Sequence, residues 1–411
     1  MAILSGRGIA NAFNQRWLAV AIFAIAICKL ALLYMQLWAH FDAEDFSVYY
    51  SSGLLMRLGV DPYGFNIIPF AHQLGLNTRN SQATDPPTFL ILVKSLASLP
   101  VRQAYWLWQA INLAALAASL YLLLSPRYSG LGKYYAITMA GIALLYLPVN
   151  NHITLGQSKL ILLLLLAVMM RCMESGHDAA AGLSLALAGL LRVFPLLIML
   201  YLLVQRRWRV LAYAAAGVAA GGLVTAAYLG IDYILNFVFA LSFLTIKLWL
   251  VHPMNVSMNA FVSRMFWYAG IQNAVTIRGA VVLADLAVLY MAIRATKANE
   301  GDHDWSAFSL WVVAAVVLSP IAWFHDMVLL LLPFAQIASG AWRGTASARV
   351  IGLAIVSYFL AEIASATLNG PPGSAPVISQ LQFASLMLLF AAVYWFNFDH
   401  AGAMDKGTIA A

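Results

Sequence analysis

The fold is decided by a stretch near the N terminus, residues 16–46, which reads RWLAVAIFAIAICKLALLYMQLWAHFDAEDF. It joins a hydrophobic run over residues 16–38 to three closely spaced carboxylates, Asp42, Glu44 and Asp45. A helix of about 20 predominantly apolar residues crosses the core of a bilayer, so the run predicts a membrane span. Because no small-residue cleavage site follows the run, we expect this span to be retained.

The composition of the whole chain is that of a membrane protein. Of its 411 residues, 63% are hydrophobic and 9% are charged, and the mean hydropathy is +0.82. Soluble domains carry roughly 25% charged residues. The sequence therefore predicts an all-α polytopic membrane protein in which residues 1–411 form a single integral membrane domain. The predicted spans, about twelve in number, are residues 16–38, 103–124, 134–149, 158–173, 179–191, 194–204, 209–229, 275–294, 306–319, 324–338, 350–368 and 377–397.

Basic residues between these spans indicate the orientation, because cytoplasmic loops are enriched in Lys and Arg. Such loops explain the net charge of +7 without a nucleic-acid partner. All basic loops can lie in the cytoplasm only if residues 86–99 form a helix that stays at the outer face and does not cross the membrane. Residues 39–102 then form the first extracytoplasmic loop, with juxtamembrane helices inside it. The P-loop motif G-x-x-x-x-G-K-[ST] does not occur, so an enzyme on this face would need an activated substrate delivered by lipid.

The acidic cluster has two interpretations. In the structural one, Asp42 caps a helix, with Asp45 three residues later as in a capping box, and Glu44 favours the helix dipole. In the catalytic one, Asp45 is a general base that takes the proton of an acceptor hydroxyl. A helix that begins here would place Asp42, Asp45 and Tyr49 on one face. The two interpretations are compatible if Asp42 caps the helix and Asp45 reacts.

Two arginines on the predicted outer face are candidates for binding phosphate. Arg192 lies in an apolar turn, where an arginine is costly unless it has a partner or reaches the interface. It either snorkels to the membrane surface or offers its guanidinium to a phosphate group. Arg264 is the second candidate, and its simpler interpretation is an exposed loop cation.

Polar residues near other span ends have alternatives of the same kind. His325 either begins a helix or contacts a leaving phosphate or an acceptor hydroxyl, and Asp326 favours the helix dipole. His152, with Gln157 and Lys159, forms either an ordinary polar turn or part of a site. Because the histidines come from distant loops without metal-ligand spacing, we predict no metal and no cofactor.

Three charged residues, Lys29, Asp285 and Glu362, lie within predicted spans. They are either structural groups that face the interior of the bundle or members of an ionisable pathway. The sequence leaves both interpretations open. The second one defines an alternative function, a polyprenyl-lipid flippase or a small-solute transporter.

A series of different short motifs lies along the chain between about residue 40 and residue 335. They are DFSVYY (45–50), GVDPY (59–63), DPP (85–87), LP (99–100), GQ (156–157), AG (181–182), RVFP (192–195), NVS (255–257) and SPIAWFH (319–325). In their order and spacing they resemble glycosyltransferase family 87, membrane enzymes of the GT-C superfamily. The sequence departs from the family pattern at two positions. Asp85 stands where an aromatic residue commonly precedes the two prolines, and Asp326 stands where a second histidine is frequent.

The resemblance implies a GT-C-like bundle of about twelve transmembrane helices with a catalytic first extracytoplasmic loop. It implies an inverting transfer of a sugar, a hexose such as mannose, from a polyprenyl-phosphate donor to a lipid or glycan acceptor. We therefore assign Asp45 and His325 to catalysis, and Arg192 and Arg264 to the donor phosphate. The predicted substrate-binding residues are Asp42, Tyr49, Asp85, His152, Gln157, Asn255 and Trp323. The expected location is the plasma membrane, in contact with membrane lipid and without an obligate protein partner, and the active site lies on the extracytoplasmic face.

Overall fold

The computed structural model describes residues 6–41, 43–241, 250–298, 305–365 and 376–405. Asp42 therefore lies outside the described residues. Over these ranges every regular element is a helix, and the only β pairing is an isolated bridge between Asn255 and Trp323. The predicted all-α architecture is confirmed.

The α-helices follow one another with short connections, and 3-10 helices at Phe194–Leu197 and Phe324–Leu330 precede two of them. In chain order the α-helices of the described ranges are α1 (Gly6–Phe13), α2 (Arg16–Ala39), α3 (Glu44–Arg57), α4 (Ile67–Gln73), α5 (Pro87–Leu96), α6 (Val101–Leu124), α7 (Pro126–Ser129), α8 (Lys133–Leu145), α9 (Leu147–Leu155), α10 (Lys159–Glu174), α11 (Asp178–Leu191), α12 (Ile198–Val204), α13 (Trp208–Leu229), α14 (Ile231–Leu241), α15 (Met258–Tyr268), α16 (Ala274–Ala298), α17 (Trp305–Val317), α18 (Leu331–Arg343), α19 (Ala348–Ser365) and α20 (Pro376–Asp405).

Several of these helices are suited to crossing a membrane. Those in the described ranges that are long and apolar enough are Arg16–Ala39, Val101–Ser129, Trp208–Leu229, Ala274–Ala298, Phe324–Arg343 and Gln380–Phe398. The pair α8 and α9, bent by 52° at its junction, adds a seventh crossing if it is counted as one span. The chain is thus a multi-pass membrane protein. Helices also occupy the other hydrophobic runs, but several are too short to cross alone, so the count of twelve spans stays a prediction.

The junction between α8 and α9 is held by two of the charged residues within the spans. Pro148, near the start of α9, cannot continue the hydrogen-bond ladder of α8. Lys29 Nζ donates to the carbonyl of Leu145 at 3.1 Å, and the backbone N–H of Leu147 donates to the Glu362 carboxylate at 2.7 Å. Backbone groups freed by a break need partners inside a membrane. Lys29 and Glu362 thus provide partners for backbone groups next to the break, as the structural interpretation expects.

The segment between α2 and α6 is a packed helical layer. Its helices α3, α4 and α5 share a hydrophobic cluster with the start of α6 and with α14. Helix α5 has 10 residues and is therefore about 15 Å long, about half the thickness of a bilayer core. Helices α3 and α5 approach closely at Gly53, where any side chain would collide with the backbone carbonyl of Val93. A short α5 fits the prediction that residues 86–99 do not cross.

Polar residues collect at one end of the bundle. Helix α10 passes through the main hydrophobic cluster, and α17 is buried along its length. The N-terminal end of α10 and helix α9 both pack against the 3-10 helix Phe324–Leu330, and α9 also contacts α3. The ends of these elements meet in a small region, which brings residues far apart in the sequence into contact.

Candidate active site

The turn that ends α11 directs an arginine into the protein. Arg192 adopts an extended conformation directly after α11. Its guanidinium forms an ion pair with Asp85 and donates from Nη2 to the Tyr49 hydroxyl at 2.5 Å. The guanidinium carbon also lies 5.8 Å from the ring centres of Tyr49 and Phe89. The interpretation of Arg192 as a snorkelling residue is wrong, because its charge finds partners inside the protein.

Asp45 lies in the first turn of α3. The N-cap position of α3 is Ala43, which makes no side-chain capping bond. Asp42 lies outside the described residues, so the predicted capping box with Asp42 stays a prediction. The Asp45 carboxylate accepts a hydrogen bond from Asn80 Nδ2 at 3.1 Å. Asn80 lies in the connection between α4 and α5, so this connection contributes a hydrogen-bond donor to the acid.

The surroundings of Asp45 suit a proton acceptor that works near neutral pH. Loss of hydration raises the pKa of Asp45 to about 6, and the nearby Glu44 carboxylate acts in the same direction. Hydrogen bonding by Gln157 and the positive charges of Lys159 and Arg192 oppose this rise of the Asp45 pKa. A base whose pKa is just below the working pH is mostly ionised and still accepts a proton readily.

Gln157 joins Tyr49 of α3 to two cations. It follows Gly156, which ends α9 in the left-handed conformation with a φ of +70°. The Gln157 side-chain oxygen accepts hydrogen bonds from the Tyr49 hydroxyl at 2.6 Å and from Lys159 Nζ at 3.0 Å. Arg192 Nη2 approaches the same oxygen at 3.4 Å. One carbonyl oxygen thus gathers a phenol and two cationic side chains.

A buried ion pair between Lys159 and Asp326 forms the other side of the site. Lys159 Nζ lies 3.2 Å from Asp326 Oδ1 and 3.5 Å from His325 Nε2. The second carboxylate oxygen of Asp326 accepts from the backbone N–H of Trp323 at 2.7 Å, which fixes the start of the 3-10 helix. His325 is thereby held beside a cation, as its predicted contact with a phosphate requires. The sequence predicted that Asp326 interacts with the helix dipole, and it did not predict the ion pair with Lys159.

His152 lies next to these residues on α9. Its Nε2 accepts a hydrogen bond from the backbone N–H of Leu160 at 3.2 Å, in the first turn of α10. Within the described part of the chain, its Nδ1 has no hydrogen-bond partner. His152 therefore joins the end of α9 to the start of α10, and its predicted contact with substrate stays a prediction.

A second group of residues joins the loop before α15 to the loop after α17. The Asn255 side-chain oxygen accepts from the backbone N–H groups of Ser257 at 3.1 Å and Ala322 at 3.2 Å. Asn255 and Trp323 form the isolated β bridge, and the ring of Trp323 packs edge-on against His252 at 5.2 Å. The side chain of Asn255 thus accepts backbone hydrogen bonds from both loops, and its predicted contact with substrate stays a prediction.

Arg264 belongs to this second group. It is 2% exposed, so its interpretation as an exposed loop cation is wrong. From Nη1 it donates to the backbone carbonyls of His252 at 3.0 Å and Asn255 at 2.8 Å. Its Nε and Nη2 atoms have no hydrogen-bond partner among the residues that the structure describes. Arg264 therefore stabilises the loop before α15, and its predicted contact with phosphate stays a prediction.

Most of the predicted site residues thus meet in one place, which we call the charged cluster. Its members are Asp45, Tyr49, Asp85, Gln157, Lys159, Arg192, His325 and Asp326. Two further residues contact the predicted catalytic ones: Lys159, which the sequence marked only together with His152 and Gln157, lies beside His325, and Asn80, which it did not mark, bonds to Asp45. A signal for Lys159 exists, because a lysine that begins an apolar helix needs a partner, but no sequence signal points to Asn80. Over the described ranges, no three His, Cys, Asp or Glu side chains are placed to hold a metal ion.

The helical bundle and the charged cluster define a multi-pass membrane protein in which a half-buried acid, Asp45, lies near two cations that are each paired with a carboxylate. The model of glycosyltransferase family 87 matches residues 84–320, more than half of the chain. The chain therefore belongs to glycosyltransferase family 87 and is a membrane glycosyltransferase. The matched range contains Asp85, Gln157 and Arg192, whereas Asp45 and His325 lie outside it.

The crystal structure of ArnT from Cupriavidus metallidurans in the apo state is similar to the chain at 15% identity, with a TM-score of 0.38. The similarity covers 94% of this chain and 78% of that chain. No curated protein matches the chain.

Proposed function

We propose that this glycosyltransferase moves a hexose such as mannose from a polyprenyl-phosphate donor to a lipid or glycan acceptor. The reaction takes place at the extracytoplasmic face of the plasma membrane and inverts the anomeric centre. The observation that carries the proposal is the convergence of Arg192 and Lys159 on the side-chain oxygen of Gln157, beside Asp45. A base next to two cations is the arrangement that displacement of a phosphate leaving group requires.

The two cations would receive the phosphate group of the donor. Arg192 offers planar, paired donors and Lys159 a compact charge, and both types of side chain bind phosphate in proteins. The two cations approach the same carbonyl oxygen, at 3.4 Å for Arg192 and 3.0 Å for Lys159. A phosphate oxygen close to that position would contact both. Arg264 would offer the donor phosphate its Nε and Nη2 atoms, which have no hydrogen-bond partner among the described residues.

Asp45 would act as the base. Its carboxylate takes the proton of the acceptor hydroxyl while the hydroxyl oxygen forms a bond to the anomeric carbon of the donor. The bond between that carbon and the phosphate oxygen breaks, and its electron pair stays on the phosphate. The leaving polyprenyl phosphate gains one negative charge, which Arg192 and Lys159 stabilise, so a general acid is not needed. His325, beside Lys159, contacts the same phosphate.

The alternative function, a flippase or transporter, relied on Lys29, Asp285 and Glu362 as a pathway through the spans. Lys29 and Glu362 form hydrogen bonds with backbone groups at the break between α8 and α9. Of the three residues proposed for the pathway, only Asp285 then remains. A pathway for ions or lipid needs several ionisable groups along its length. These contacts favour the transferase over the transporter.

The test uses the purified full-length protein in proteoliposomes. A panel of polyprenyl-phosphate sugars is supplied with a lipid extract of the native membrane as the source of acceptors, and release of polyprenyl phosphate is followed. We expect release from one donor and its loss in Asp45→Asn. Glu44→Gln is the matched control, because it changes the neighbouring acid and keeps the oxygen that accepts from the backbone N–H of Arg79. Transfer by Asp45→Asn near the wild-type rate would refute the assignment of the base.

A further inference from the structure

One segment of the chain contacts both the predicted base and one of the predicted phosphate-binding cations. It is the connection between α4 and α5, residues 74–86, which contains no regular helix. Its Asn80 donates from Nδ2 to the Asp45 carboxylate at 3.1 Å. Its Asp85 forms the ion pair with the Arg192 guanidinium. Long connections without regular structure are often lids or binding loops, so we expect this segment to have a role at the site.

The two contacts of this segment are of the same kind as those that the two substrates would make. An acceptor hydroxyl would donate a hydrogen bond to the Asp45 carboxylate, as the amide of Asn80 does. A donor phosphate would accept hydrogen bonds from the Arg192 guanidinium, as the carboxylate of Asp85 does, because arginine pairs with both types of anion. One connection thus supplies a substitute for the hydroxyl and a substitute for the phosphate.

Arg192 has no position for a phosphate while Asp85 stays where it is. Its Nη1 pairs with Asp85, its Nη2 donates to the Tyr49 hydroxyl, and its Nε is buried. The side chains of Arg192 and Asp85 are only 15% and 4% exposed. A phosphate that binds this guanidinium must therefore displace Asp85.

The two carboxylates that pair with the cations differ in how they are held. Asp326 pairs with Lys159 through one oxygen and accepts from the backbone N–H of Trp323 at 2.7 Å through the other. Among the described residues, the carboxylate of Asp85 pairs with Arg192 and accepts from no backbone N–H group. Moving Asp85 away therefore leaves no backbone donor without its partner, whereas moving Asp326 would. Of the two carboxylates, Asp85 is the one that a phosphate can replace.

We propose that residues 74–86 close the site in the absence of substrate, with Asp85 in the place of the donor phosphate and Asn80 in the place of the acceptor hydroxyl. The donor phosphate displaces Asp85 from Arg192, the segment moves outward, and Asn80 releases Asp45 for the acceptor. The predicted role of Asp85 as a substrate ligand is replaced by this one. The inference rests on the proposed function, since it takes Arg192 as the phosphate ligand and Asp45 as the base.

Hydrogen exchange followed by mass spectrometry tests the displacement directly. The full-length protein is placed in lipid nanodiscs, and polyprenyl phosphate without a sugar is the probe. A lid that closes over a ligand would exchange more slowly when the ligand binds. Here we expect exchange in residues 74–86 to become several-fold faster, because outward movement breaks bonds such as the one from the Arg79 N–H to the Glu44 carboxylate. Slower or unchanged exchange in protein that has bound the probe would overturn the proposal.

Binding of the same probe to Asp85→Asn gives a second measurement. This variant removes the competing charge, so we expect its dissociation constant for polyprenyl phosphate to fall about tenfold. Exchange in residues 74–86 should be fast even without the probe. Asp61→Asn is the matched control, because Asp61 is an acid of the same helical layer that accepts from Asn236 Nδ2 at 2.7 Å, and it should change neither quantity. Binding by Asp85→Asn that is equal to or weaker than that of the wild type would also overturn the proposal.

Arg192→Gln separates this proposal from the proposed function. We expect it to lose most of the affinity for polyprenyl phosphate. If the wild type does not bind the probe, or if Arg192→Gln binds it equally well, the phosphate site of the proposed function is wrong. If binding depends on Arg192 but residues 74–86 do not exchange faster, only the closure by this segment is refuted.

Discussion

The Lys159 ammonium lies 3.2 Å from the Asp326 carboxylate, with side chains only 4% and 5% exposed. Arg192 has the same relationship to Asp85. Each cation of the charged cluster therefore has its own carboxylate. These two carboxylates stand at the two positions where the sequence departs from the family pattern. Compared with that pattern, this protein adds one negative charge beside each cation that would receive the phosphate.

The ion pair predicts opposite responses for stability and for activity. Lys159→Met leaves Asp326 buried without a partner, which should destabilise the fold by about 3–5 kcal/mol. The double variant Lys159→Met with Asp326→Asn removes the unpaired charge and keeps an oxygen for the Trp323 N–H, so most of the stability should return. Activity should stay low in both variants, because the cation is missing. Thermal unfolding in detergent and the rate of polyprenyl phosphate release measure the two effects. A fully active double variant would contradict the role of Lys159.

The rate of transfer should fall below about pH 6. Loss of hydration raises the pKa of Asp45 from 3.8 to about 6, and the base must be ionised to accept a proton. The initial rate should therefore drop about tenfold for each pH unit below this value. Stability should behave in the opposite way, since a raised pKa means that the folded state binds the proton more tightly. Protonation of Asp45 thus strengthens the fold as pH falls through 6 towards 4. A parallel loss of folded protein would contradict this assignment of the acidic limb.

The Tyr49 hydroxyl links Arg192 to Gln157, so its removal should weaken donor binding. Tyr49→Phe removes the 2.5 Å bond to Arg192 and the 2.6 Å bond to Gln157. A hydrogen bond to a charged group is worth about 1.5–3 kcal/mol, which predicts a rise of about tenfold or more in the KM for the donor. Tyr50→Phe is the control, because its hydroxyl donates to the backbone carbonyl of Leu99 away from the cluster. Equal kinetics of the two variants would argue against the contact.

Gly156 is expected to be intolerant of any side chain. It has a φ of +70°, and an added Cβ would lie 2.7 Å from Cβ of Phe46, next to Asp45. Gly156→Ala should therefore cost about 1–2 kcal/mol for the left-handed backbone and more for the collision, and it should displace Asp45 from Gln157. Gly176→Ala is the control, since Gly176 has a similar φ of +71° and open space around it. The difference in unfolding temperature between the two variants isolates the collision. No difference would show that α3 moves freely relative to α9.

Much of the architecture follows from local sequence. Continuous apolar runs predicted helices that the structure contains, because an apolar helix satisfies its own backbone in a membrane whatever surrounds it. The same reasoning identified Asp45 and Arg192 as candidate functional residues, because a charged side chain in apolar surroundings requires a partner. The identity of the partners was not accessible in this way. Lys159 and Asp326 are 167 positions apart, and no local pattern connects them.

The two arginines show where local reasoning ends. Both Arg192 and Arg264 had an interpretation as surface cations, but the structure buries Arg264 and pairs the half-buried Arg192 with Asp85. Whether an arginine points outward depends on the turn that carries it. The end of α11 directs Arg192 towards Asp85, and α15 directs Arg264 towards the carbonyls of its preceding loop. Neither direction is encoded in the residues next to the arginine.

By itself the sequence determined the membrane class, the helical runs and the residues whose burial would be costly, because hydrophobicity and charge act locally. Only the tertiary structure decided which of these residues meet. The stretch at residues 16–46 predicted a span followed by an acid, but the packing of α3 against α9 placed that acid beside Gln157. The same packing assigned Lys29 and Glu362 to a helix break and Lys159 to the site. The energy of a buried charge depends on its partners, and long-range packing chooses the partners.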